Sequence, residues 1–142
     1  MRKVWTFFYG SFMNPEVLAN ADVRPTESQM ARLDGWDIKI APRATMFPAA
    51  GGTVFGVLAQ LTHSDLEKLY TKDWFGFGTY LPEAVLVADS AGNLIPALSY
   101  IAWEMESGTP SAEYMQKVLA VAQRFKFPDW YVNRLRSFVA RR

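Results

Sequence analysis

The chain of 142 residues contains no cysteine and one histidine, His63. Without cysteine there is no disulfide, no thiol nucleophile and no thiolate zinc site. One imidazole excludes a multi-histidine metal centre, and a Ser-His-Asp triad would have to use His63 itself. A hard-cation site built from carboxylates stays open. No apolar run approaches the ~18 residues that cross a bilayer. After Met1-Arg2-Lys3 the apolar stretch is interrupted by Tyr9-Gly10-Ser11, too early for a signal peptide. The expectation is a soluble, cytoplasmic chain with no membrane partner. Charge is also scarce, at 20% of residues and a net +1. That balance gives no bulk attraction to nucleic acid, so no nucleic-acid partner is expected.

Half of the residues are hydrophobic and 15% are aromatic, which excludes a disordered chain. A chain of this size buries roughly 68–70% of its unfolded surface, so residues 1–142 are expected to form one domain. The charge is uneven. Arg124, Lys126, Arg134, Arg136, Arg141 and Arg142 crowd the last stretch, opposed there by Asp129 alone. A basic helix bearing Trp130 and Tyr131 fits an acidic or RNA partner, but equally a helix that packs Trp130, Leu135 and Phe138 and solvates its arginines.

Strand-forming residues run from Val4 to Tyr9 without polar alternation, the mark of a strand buried on both faces. Asn14-Pro15 starts a short helix to about Ala21. Ser28 to Ile40 reads as two strand pieces broken at the Asp34-Gly35 turn signal, and 42–52 as mostly loop. Thr53 to Leu61 is a strand. Thr62 to Tyr70 is a helix in which Ser64 and Glu67 have capping-box spacing. Residues 71–79 follow no regular pattern. Tyr80–Asp89 and Leu94–Trp103 form a hairpin, and two helices follow, from Ser111 to about Phe125 and from Pro128 to Ala140. Without regular βα repeats, the expected class is α+β: a small mixed, curved sheet or partial barrel with flanking helices.

Two places suit chemistry. At Tyr9-Gly10-Ser11-Phe12 a strand end turns toward a helix, and glycine allows successive N–H groups to form a concave nest for an oxyanion or carboxylate. Asp73 lies among Trp74, Phe75 and Phe77, with Gly76 and Gly78 as hinges. A carboxylate desolvated by aromatics holds its proton more tightly, as a general base near neutrality must. The same aromatic loop would serve as a lid or as a homodimer interface. Arg43 has the fork to hold a carboxylate, though an arginine beside prolines is ordinarily solvated. His63 is expected to be exposed at a helix start.

Taken together, these segments resemble the γ-glutamylcyclotransferase-like family. Tyr9-Gly10-Ser11 resembles its opening Tyr-Gly-Ser. Ala44-Thr45-Met46-Phe47 through Val54-Phe55-Gly56-Val57-Leu58 is similar to its A-T-I … V-x-G-V segment. The helix to Tyr70, Asp73 and Gly78-Thr79-Tyr80 resemble its L-D-x-x-E … G-x-Y. Pro110-Ser111-Ala112-Glu113-Tyr114 and Phe127-Pro128-Asp129-Trp130-Tyr131 resemble its two C-terminal helix motifs. In order and spacing the resemblance covers nearly the whole chain.

The resemblance implies an enzyme that cyclises a small-molecule γ-glutamyl amine or amino acid to 5-oxoproline and a free amine, without metal or organic cofactor. It puts Asp73 where the family carries a catalytic glutamate, and implies that Gly10, Ser11 and Phe12 form the anion nest. It lines the pocket with Tyr9 and Tyr80, Tyr80 offering its hydroxyl to substrate. Aspartate is shorter than glutamate by one methylene, about 1.5 Å. A displacement near 1 Å can cost about a hundredfold in rate, so a binding domain without catalysis is the rival. Glu83, expected to face solvent, is the replacement base if it turns inward, and Glu67 is expected to serve as a cap.

Overall fold

The computed structural model describes residues 2–70, 80–105 and 107–139. Five strands close into a barrel: β1 (Lys3–Phe8), β2 (Ser28–Ile40), β3 (Ala44–Thr62), β4 (Leu81–Asp89) and β5 (Leu94–Ile101). Their spatial order is β1-β3-β2-β4-β5. Neighbours run antiparallel except β1 and β5, which run parallel and pair at Thr6 and Leu98. Beyond that pair, side chains continue the closure. Ser99 Oγ donates to the Phe7 carbonyl at 3.0 Å, and the Tyr9 hydroxyl donates to the Tyr100 carbonyl at 2.6 Å. The α+β class and the barrel-like sheet agree with the sequence reading.

As the unalternated run predicts, Thr6, Phe7 and Phe8 are buried on both faces of β1. In β2 the structure departs from the expected break. Gly35 takes φ 86°, a left-handed value suited to glycine, but as a bulge rather than a turn, and the strand resumes at Trp36. The reason lies in the partner. β3 begins at Ala44, where a loop was expected, and pairs with Ile40 back through Trp36 before passing the irregularity and pairing again from Thr53. Pro48 is tolerated because it lies beside that irregularity.

Helix α1 (Pro15–Asn20) starts as expected, with Asn14 accepting from the Glu16 N–H at 3.0 Å. Helix α2 (His63–Tyr70) carries a reciprocal cap two residues earlier than Ser64 and Glu67. Thr62 N–H donates to Asp65 and Asp65 N–H donates to Thr62 Oγ1, each at 3.1 Å. Glu67 is therefore not the capping carboxylate. In α3 (Ala112–Arg124), capped by Ser111, the buried stripe is Tyr114, Met115, Val118, Val121 and Ala122. Helix α4 (Asp129–Arg136) ends before Ala140. It buries Tyr131 and Leu135, while Trp130 stays exposed. Arg134 is held to Asp37 at 3.0 Å, so one of the terminal cations ties α4 to β2. No helix among the described residues is long and apolar enough to cross a membrane.

Candidate active site

Five of the six tyrosines converge where the parallel strands β1 and β5 end. Each sits at the edge of an element: Tyr9 after β1, Tyr70 at the end of α2, Tyr80 before β4, Tyr100 near the end of β5 and Tyr114 in the first turn of α3. The Tyr70 and Tyr100 rings stack with centroids 3.6 Å apart, and Tyr80 leans on Tyr70 at 6.2 Å. These side chains, with Gly10, Ser11, Phe12 and Ala44, enclose a narrow cleft of about 30 Å³.

The cleft lies between two larger cavities. It shares Ser11, Phe12 and Tyr114 with a cavity of about 310 Å³, whose wall also carries Arg43, Glu113 and Lys117. It shares Tyr70, Tyr80 and Tyr100 with another of about 470 Å³, bordered by His63 and Glu67. His63 is exposed, as expected.

A short 3₁₀ turn (Ser11–Met13) follows Gly10, closed by Met13 N–H donating to the Gly10 carbonyl at 3.0 Å. Glycine is required at position 10 by close approach. A Cβ there would lie 2.8 Å from that of Ala44 and 3.0 Å from the Tyr114 hydroxyl oxygen. Ser11 is buried and Phe12 packs edge-on against Tyr70 at 5.5 Å. Arg43, in the turn between β2 and β3, is half-buried rather than fully solvated, with its guanidinium 4.7 Å above the Tyr114 ring.

Burial is the largest influence on every hydroxyl of the cluster. It raises Tyr9, Tyr70, Tyr80 and Tyr114 above the ordinary phenol range, while Arg43 pulls Tyr80 and Tyr114 back part of the way. All four are neutral at physiological pH, so the cluster supplies hydrogen bonds and not bases. The Tyr80 hydroxyl lies 2.5 Å from the Ala44 carbonyl oxygen and donates to it.

Asp73 lies outside the described residues. Glu83 shares the strand face of the buried Val85 and Val87 rather than facing away, yet its carboxylate accepts from the Trp103 indole N–H at 3.2 Å in an exposed bond. It lines none of these three cavities. Sequence reasoning brought Tyr9, Gly10, Ser11, Phe12 and Tyr80 to the site, and the structure places them together. It gave no role to Tyr70, Tyr100 or Tyr114. Their shared position at element ends is the signal that could have found them.

Residues 53–135 match the model of the AIG2-like family. The chain belongs to that family. Relatives of this AIG2-like protein include the γ-glutamylcyclotransferases of Bos taurus and Homo sapiens, 31% and 30% identical over 94 residues. Those alignments cover 66% of this chain and 50% of each relative, so the chain spans about half the length of the curated relatives it matches. Among solved structures, one described as a γ-glutamyl cyclotransferase superposes with TM-score 0.78 at 24% identity, covering 96% of this chain and 88% of the other. YkqA from Bacillus subtilis superposes with TM-score 0.79 at 23% identity, covering 96% and 54%. These two likenesses establish the shared fold.

Proposed function

We propose that this AIG2-like protein is a γ-glutamyl cyclotransferase. The observation that carries the reading is the cleft itself: neutral tyrosines, two buried and three half-buried, gathered around the Gly10–Ser11 turn, in a chain similar to γ-glutamylcyclotransferases. In the reaction the α-amine nitrogen of the substrate attacks its own γ-carbonyl carbon. A carbon–nitrogen bond closes the five-membered ring, and the bond from that carbon to the amide nitrogen breaks. The proton lost by the attacking amine is carried by a base to the leaving nitrogen, so 5-oxoproline and a free amine result and no oxidant or reductant is involved.

The site suits this chemistry in three ways. In this reading the packed aromatic walls hold the substrate folded, which supplies much of the rate by proximity. The turn at Gly10, Ser11 and Phe12 would supply backbone N–H groups to developing negative charge, as the resemblance implies. Arg43, beside the cleft, suits the substrate's α-carboxylate. The base in this reading is Asp73, which the resemblance assigns, acting without metal or organic cofactor.

A panel of γ-glutamyl amino acids and γ-glutamyl amines tests the proposal, with 5-oxoproline release as the readout. Release from at least one member is expected. A panel that raises the melting temperature without any release supports the second reading, a binding domain whose shorter aspartate no longer reaches the amine.

A further inference from the structure

Proton accounting separates the roles of the cleft's hydroxyls; the argument rests on the cyclotransferase reading. A phenol has one proton to give and lone pairs to accept with. Tyr9 faces the Tyr100 carbonyl oxygen at 2.6 Å and Tyr80 faces that of Ala44 at 2.5 Å. A carbonyl only accepts, so each of these protons is committed to the backbone. Neither hydroxyl therefore has its proton to give to a ligand.

Tyr114 is arranged the other way round. Its oxygen accepts from the Ala44 N–H at 2.9 Å, and Ser11 and Arg43 also favour negative charge on it. Burial outweighs them and keeps the proton in place. Unlike Tyr9 and Tyr80, it is not turned onto a backbone carbonyl; its polar neighbours are the Ala44 N–H and the backbone and hydroxyl of Ser11. A hydroxyl that accepts a hydrogen bond is polarised into a better donor.

Its position adds a second argument. Tyr114 is in the wall common to the narrow cleft and the cavity of about 310 Å³. A γ-glutamyl amide has an acyl part and a leaving part, and the carbonyl that joins them belongs at such a shared wall. We propose that Tyr114 is a catalytic residue, donating its hydroxyl hydrogen bond to the γ-carbonyl oxygen and to the oxyanion formed when the α-amine adds. Tyr114 keeps its proton throughout. The oxyanion collapses as the bond to the leaving nitrogen breaks.

The test uses the whole chain, with Tyr114→Phe and with a ring-fluorinated tyrosine placed at position 114. Thermal melts establish that both are folded. The phenylalanine variant is expected to lose about 10²–10³ in kcat with KM changed only a few-fold. Fluorination lowers the phenol's pKa, so the alkaline limb of kcat/KM is expected to move to lower pH over a range where thermal melts show the fold intact, which separates it from loss of structure. A folded Tyr114→Phe enzyme with kcat within about threefold of the parent overturns the assignment. So does an alkaline limb unmoved by fluorination, and this second variant decides if the first does not fold. No 5-oxoproline from the unmodified protein on any panel member removes the cyclotransferase reading and the donor with it. An active parent beside indifferent Tyr114 variants overturns the donor alone.

Discussion

Tyr80 and Tyr114 meet on the backbone of one residue: Tyr80 donates to the Ala44 carbonyl at 2.5 Å, and the Ala44 N–H donates to Tyr114 at 2.9 Å. The start of β4 and the start of α3 are thereby fastened to the first residue of β3. Next along β3, Thr45 Oγ1 donates to the Ala102 carbonyl at 2.8 Å and accepts from the Ala102 N–H at 3.1 Å. One rim of the cleft is thus backbone held by side chains, which keeps hydroxyls in fixed directions at little entropic cost during reaction.

Gly10→Ala strikes this arrangement from the other side. The added methyl would press on Ala44 and on the Tyr114 hydroxyl. Overpacking of this kind costs about 1–3 kcal/mol. At about 2–4 °C per kcal/mol for a chain near this size, the melting temperature should fall measurably. Activity should fall further than stability, because Tyr114 is displaced. A melting curve and kcat equal to the parent's would contradict the packing described.

Alkali should destabilise the fold. Tyr9, Tyr70, Tyr80, Tyr114 and Tyr131 all titrate above the ordinary phenol value because they are buried. In the unfolded chain they release protons near pH ~10, while the folded chain still holds them. Above that pH the unfolded state binds fewer protons, so stability falls as pH rises; below it the contribution is fully present. Denaturant melts from neutral to strongly alkaline pH should trace this decline. Near-ultraviolet titration should find most phenols un-ionised in the native state when free tyrosine is already ionised. Ordinary titration of all six in folded protein would refute the burial.

Arg43→Gln removes the cation above the Tyr114 ring. Lost ring contact alone costs about 0.5–2 kcal/mol. If Arg43 also holds the substrate's α-carboxylate, KM should rise by about tenfold or more, since hydrogen bonds to charged groups contribute about 1.5–3 kcal/mol. The rate at saturation should change less. Steady-state kinetics separate the two, and an unchanged KM would confine Arg43 to packing.

Local signals in the sequence were followed by the fold where local physics decides. Asn14-Pro15 and Ser111 started helices, and 90–93 closed a hairpin around the Asp89 carboxylate, which accepts from Asn93 N–H at 2.8 Å. They failed where pairing partners decide. Asp34-Gly35 has turn chemistry, but β3 offers a ladder on both sides of it, so the chain bulges and continues. Residues 42–52 look like loop because of their prolines and glycines, yet Ala44 to Pro48 have a strand to join. Trp130 looked like a core anchor; the face of α4 that meets the barrel carries Tyr131 and Leu135 instead. The site divides similarly. Tyr9-Gly10-Ser11 and Tyr80 were legible as short motifs. Tyr70, Tyr100 and Tyr114 share a position at element ends, but that those ends meet is a long-range fact of the folded chain.

The base assignment at Asp73 is the centre of the functional account, and one comparison tests it most directly. 5-Oxoproline release should be measured on the preferred γ-glutamyl substrate with the parent, Asp73→Asn and Asp73→Glu. General-base removal typically costs about 10²–10⁴ in rate, so Asp73→Asn should fall by that much while Asp73→Glu keeps or exceeds the parent's turnover. Undiminished turnover by a folded Asp73→Asn protein would contradict the account.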